Sequence, residues 1–204
     1  MIPLVKPTGE QAVSDTVIDT DRPLRADARR NRERILESAR AVFAQCGAGA
    51  QIDDVAREAG VGVGTVYRHF PNKEALLVEL MREKFRLFAA RGRETLDQDG
   101  EPFELLIDLL RSNAETAASD AAVQHALVGA GEHIWLHAVA EQNELIAITE
   151  ELLARARRAG TIRPDIGGMD IGMLMCGVCS TMGEKPGFDW HRHLELVVEM
   201  LRAR

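Results

Sequence analysis

Two short helical patterns separated by a tight turn constrain this chain more than any other feature. The first carries Ile52, Val55, Ala56 and Ala59 at helical spacing, with Asp53 and Asp54 in its opening turn, where carboxylates favour the helix dipole. Gly60 follows and supplies the left-handed residue that a sharp exit needs. The second runs from Val63 to Phe70 and stops at Pro71, and Asn72 is a good N-cap for a further helix. Two such helices joined by about four residues containing a glycine describe a helix-turn-helix. Both flanks supply helices to pack against it. Before it, Ile35, Leu36, Ala39, Val42 and Phe43 fall at three-and-four spacing in a helix that begins near Asp27 and ends at Gly47. After it, Leu76, Leu77, Leu80, Met81, Lys84, Phe85 and Phe88 mark a long helix leading towards Gly92.

The rest of the chain keeps the same character. Helices are expected at 101–119, 121–129, 131–159, 168–183 and 188–203, punctuated by Gly131, Gly160, Pro164, Gly167, Gly168, Pro186 and Gly187. No strand-like alternation of useful length appears, so the fold class is all-α. The organisation reads as a flexible N-terminal arm over 1–25, a three-helix helix-turn-helix unit over 26–75, and a larger helical unit over 76–204. No apolar run approaches the ~18 residues needed to cross a bilayer. No apolar stretch follows Lys6, so a secretory signal is not expected, and the chain reads as cytoplasmic.

The net charge of −7 argues at first against a nucleic-acid partner. Its distribution argues the other way. Residues 22–75 carry ten basic and seven acidic groups, whereas both flanking stretches are acidic. A basic segment on an acidic body can dock on phosphates while the body resists non-specific adhesion.

The chemistry of the helix-turn-helix fits double-stranded DNA. The first helix of the pair buries Val55, Ala56 and Ala59 as a brace. The second opens with Gly62, Val63, Gly64 and Thr65, small enough for its backbone to approach base edges in the major groove. Tyr67, Arg68 and His69 follow as groups that can reach phosphates or bases. Lys73 sits in the first turn of the next helix, where free N–H groups already attract a phosphate. Each residue also has a plainer use: Phe70 as a core aromatic, His69 as a buried histidine beside it, and Arg29, Arg30, Arg32 and Arg34 as a solvated helix face.

Over RERILESARAVFAQCG and then IDDVAREAGVGVGTVYRHFPNKEALL, the chain resembles the TetR family. The resemblance covers roughly a quarter of the chain as one ordered pattern over four helices. It implies a homodimeric DNA-binding transcriptional regulator, a repressor released from its operator by a small-molecule effector, with no cofactor and no enzymatic activity. It also implies DNA contacts at Thr65, Tyr67, Arg68, His69 and Lys73, with Val63 and Gly64 closest to the bases. Two positions depart from the family pattern. Gln51 stands where a Thr or Ser usually touches a phosphate, which leaves that contact to its amide or removes it. Gly62 replaces a usual Ser, so the helix offers fewer side-chain donors.

By the same resemblance, the residues after 76 form a ligand-binding and dimerisation unit. Candidate pocket residues are Phe85, Phe88, Phe103, Leu106, Trp135, Met173 and Cys176, with His133 and His137 as polar groups. Candidate dimer residues are Met169 and Met173 on one helix and Leu194, Val197, Val198 and Leu201 on another, unless these complete the monomer core. A second class of function stays open: an all-α enzyme using metal at His133 and His137 or thiols at Cys176 and Cys179. The histidines stand four apart but lack a glutamate of the H-E-x-x-H kind between them. The cysteines lie in the apolar run MLMCGVCSTM without a thioredoxin-type strand beside them, and Cys46 stands alone near a helix end.

Overall fold

The computed structural model describes residues 21–129, 132–182 and 187–203. Helix α1 spans Asp21–Cys46, starting ahead of the expected Asp27, and residues 1–20 of the expected arm lie outside the described part. Gly47, at φ 54°, breaks α1 into a 3-10 turn over Gly47–Gly49. Helices α2 (Ile52–Glu58) and α3 (Val63–His69) follow, with Gly60 at φ 62° between them. Phe70 ends α3 in an extended conformation, as a residue before proline prefers. The Asn72 side chain then accepts a hydrogen bond from the Ala75 N–H at 2.7 Å and caps α4, Lys73–Leu96.

Helix α5 (Pro102–Ser119) begins with Pro102 in its first turn and Glu101 accepting from the Glu104 N–H. Helices α6 (Ala121–Gly129), α7 (Glu132–Leu136) and α8 (Val139–Ala159) come next. The single helix expected over 131–159 is therefore broken at His137 and Ala138, where the backbone turns without a proline or glycine to announce it. Gly160, at φ 72°, closes α8; α9 spans Gly168–Ser180 and α10 spans Trp190–Leu201. No strand forms among the described residues. One isolated bridge joins Ile162 to Arg202 and pins the end of α10 to the loop after α8.

Two clusters of buried side chains organise these helices. The first holds the apolar faces of α1 to α3 and the start of α4, with Phe43, Leu36 and Leu76 fully inside, and draws in Val123, Leu127 and Ile134 from α6 and α7. The second joins α5, α8, α9 and α10 around Phe103, Leu106, Leu153 and Val198. Helix α4 runs from the first towards the second and crosses α8 at Gly92, where an added Cβ would stand 2.6 Å from Ile148 Cγ2. A similar close approach brings Gly168 at the start of α9 against the backbone of α8, 2.7 Å from the Ile146 carbonyl for a built Cβ.

Candidate nucleic-acid interface and effector cavity

Helix α3 buries Val66 and turns the rest of itself outward. Gly62, Val63, Gly64 and Arg68 are exposed, Thr65 and His69 are half-buried, and Tyr67 is 48% exposed, unusual for the chain's sole tyrosine. Nothing lies within 4 Å of a Cβ built on Gly64, so its backbone is open to approach. Arg68 folds back along its own helix, with Nε donating to the Gly64 carbonyl at 3.2 Å and Nη2 to Thr65 Oγ1 at 3.3 Å. Gln51 is exposed at the N-cap of α2 and donates to the Gly49 carbonyl, so it tightens the preceding turn and does not cap the helix. Lys73 opens α4, with its ammonium 5.5 Å from the centre of the Phe43 ring. Of the plainer readings, Phe70 is indeed a core aromatic, and His69 packs obliquely beside it.

Further along α4 lies a network of charges. Glu79 is 7% exposed and meets three guanidinium groups: Arg32 of α1 at 2.9 Å, Arg86 at 3.0 Å and Arg82 at 3.8 Å. Arg86 also bonds Glu141 of α8 at 2.7 Å, and Arg82 donates through Nε to the His137 carbonyl at 3.0 Å. Desolvation pushes the Glu141 carboxyl up, but its own backbone N–H together with Arg86 and Arg82 holds it below its usual range. One set of bonds thus links the helix-turn-helix side, α4 and the α7–α8 break.

A cavity of about 370 Å³ lies behind α4, bounded by α4, α5, α6, α7, α8 and α9 and open to the surface beside Met169 and Met173. Of the pocket residues expected from sequence, Phe85, Phe88, Trp135, Met173 and Cys176 line it, with Phe85 and Trp135 packed at 6.1 Å between ring centres. Phe103 and Leu106 do not; they are buried in the second core, with Arg202 stacked over Phe103. His137 is exposed on the turn after α7, while the side chain of His133 lies outside the described residues. Sequence reasoning passed over the cavity's polar groups: Lys84, Asn113, Gln124, Gln142 and Thr149. Their signal was position. Lys84 continues the stripe of Leu77 and Met81, and Asn113 that of Leu106 and Leu110, where an apolar residue was due.

The two thiols on α9 are quiet. Burial pushes the Cys176 thiol up and, with Cys176 nearby, carries Cys179 to about 11, so both stay protonated at neutral pH. No group of three or more metal-ligating side chains occurs among the described residues. Leu194, Val197, Val198 and Leu201 point into the second core, so they complete the fold of the single chain. The exposed apolar groups near them are Met169 and Met173 on α9, Phe188 before α10, and Leu196 and Met200 on its outer side.

Comparison with known proteins agrees with this arrangement at both ends. Residues 35–80 match the model for bacterial regulatory proteins of the tetR family, and residues 101–203 match the SbtR-like C-terminal domain of transcriptional regulators. An HTH-type transcriptional regulator from Staphylococcus aureus is 31% identical over 84 residues, 41% of this chain and 45% of that protein, so the chain spans about half the length of this curated relative. A TetR transcription regulatory protein from Mycobacterium vanbaalenii is 39% identical in structural alignment, covering 89% of this chain and all of the other with a TM-score of 0.62. The TetR regulator SCO0520 from Streptomyces coelicolor is 30% identical over 84% of this chain and 98% of its own, with a TM-score of 0.57. No helix among the described residues is long and apolar enough to cross a membrane. With both family models matched in order on one all-helical fold, the chain belongs to the TetR family of DNA-binding transcriptional regulators, a family of regulators and not of enzymes.

Proposed function

We propose that the chain is a repressor that binds a palindromic operator as a homodimer and is released when a small molecule enters the cavity behind α4. The carrying observation is that one continuous helix, α4, begins beside the exposed face of α3 and forms a wall of the cavity. In this reading residues 26–75 meet DNA and residues 76–204 hold the effector and the dimer contact. Val63 and Gly64 lie nearest the bases, Gln51, Gly62 and Thr65 border them, and Tyr67, His69 and Lys73 reach phosphates. Arg68 swings off Gly64 to join them, because an exposed bond to its own helix is worth less than a charge-assisted one to phosphate.

Dimer contact falls to the outward groups of α9 and α10, with Leu196 and Met200 at its centre, since two recognition helices must stand ~34–36 Å apart on one face of DNA. Occupancy of the cavity shifts α4 and, through Glu79, Arg82 and Arg86, the helix-turn-helix with it. A ligand need only favour the released state by ~1–3 kcal/mol to act in this way.

Fluorescence anisotropy with DNA from just upstream of the coding region tests the DNA half of the reading. That DNA should bind ~10³-fold or more tighter than scrambled DNA, with affinity falling steeply between about 50 and 200 mM salt. Tyr67→Ala and Lys73→Ala should each remove most of that affinity; Tyr67→Ala should leave thermal unfolding unchanged, and Lys73→Ala should lower the midpoint by no more than a few degrees, for the lost contact with Phe43. If no DNA of any sequence binds at low salt, the reading fails.

A further inference from the structure

The cavity carries more information than its volume. Its lining is mostly apolar, with Phe88, Leu127 and Ile148 typical of it, yet Lys84 opens into it from α4. No described carboxylate stands within ion-pairing distance of the Lys84 ammonium, whose recorded hydrogen bond is a long one of 3.4 Å to Gln124 Oε1. Burial pushes the pKa of this lysine down, against the more distant pull of Asp120. Asn113 accepts from Arg91 at 3.5 Å, while its Nδ2 and the Nε2 of Gln124 donate to no described residue. Among the described lining residues there is no arginine and no acidic group. The site therefore offers one positive charge and several amide donors, enough for a single negative charge and too little for a phosphate dianion. A cationic ligand would meet the lysine with nothing to balance it.

We infer that the cavity binds an apolar monocarboxylic acid, its carboxylate paired with Lys84 and its hydrocarbon body packed among the aromatic and aliphatic lining. At ~30 Å³ per water-sized group, the volume takes about a dozen non-hydrogen atoms, the size of a medium-chain or aryl-alkyl acid. The inference gives a ligand class to the proposed effector site, and it is tested on the protein alone, without DNA.

Titration calorimetry with octanoate, decanoate and phenylbutyrate, against octanol and octylamine, is the experiment. The acids should saturate one site per chain, octanol should bind at least about tenfold more weakly, and octylamine should not bind. Lys84→Met should cost the acids about tenfold or more and leave octanol within about threefold, whereas Lys84→Arg should keep the preference for acids. Met replaces a half-buried amine with an apolar group of similar length, so the variant should fold, as unfolding by circular dichroism will report. Absence of saturable binding by any of the acids overturns the inference. So does equal binding of octanol or octylamine, or unchanged acid binding to folded Lys84→Met. Acid binding that leaves operator affinity unchanged would sink the release mechanism and leave this ligand class standing.

Discussion

The core beneath α3 and the seam between the two cores are built to opposite ends. The first, under the recognition helix, is solid: Ile35, Ala39, Val66 and Leu76 are completely enclosed. The second core is filled in the same way around Phe103 and Leu106, but at the seam between the two, where Met81 and Leu127 of the first face Leu109 and Leu110 of the second, the helices leave a cavity of about 370 Å³. A surface that must hold backbone atoms of α3 at fixed distances from DNA needs a filled interior, because close-packed cores transmit position with little give. A region that is to admit a guest, as proposed for this seam, needs a hollow, and it forgoes packing contacts to keep one.

Truncations should separate the solid parts from the hollow one most strongly. Leu76→Ala and Leu106→Ala should each cost ~2–5 kcal/mol in denaturant unfolding, since both lie in filled core. Leu106→Ala should nevertheless leave the affinity of the cavity for a bound acid unchanged; a large loss would mean that the cavity extends further than its present walls. Enlargements sharpen the contrast at smaller scale. Ala56→Leu in the first core should destabilise by ~1–3 kcal/mol, whereas Ala117→Leu, at a residue that lines the cavity, should cost less and should weaken ligand binding. The smallest effect is expected at the join. Asn72→Ala removes the cap on α4 and should cost ~1 kcal/mol, lowering the thermal midpoint by a few degrees and weakening DNA binding more than ligand binding.

The same contrast explains what could be read from the sequence. The helix-turn-helix was legible because its signals are local: Gly60 at its turn, Pro71 and Asn72 between helices, and small residues at the head of α3. The cavity is assembled from six helices far apart in sequence, so no local pattern marks its walls. Phe103 and Leu106 carried the same apolar signature as Phe85 and Phe88, and burial alone sorts them into core and lining. Lys84 looked like one charged residue among many on a helix, and only the neighbouring helices make its position unusual. The break between α7 and α8 was illegible for a different reason. The pull of Arg82 on the His137 carbonyl comes from α4, over fifty residues earlier in the chain.

Gly92 has a mechanical consequence. With no side chain between α4 and α8 there, the two helices touch backbone to side chain and have a natural fulcrum. Lys73 lies nineteen residues away on the same helix, an arm of ~28 Å at 1.5 Å per residue. A tilt of about 5° at the fulcrum would therefore carry the Lys73 end of α4 through ~2.5 Å. That is farther than a hydrogen bond can stretch and survive. In the proposed release, a guest that wedges the cavity wall by a few tenths of an ångström near Phe88 would work the short end of that lever.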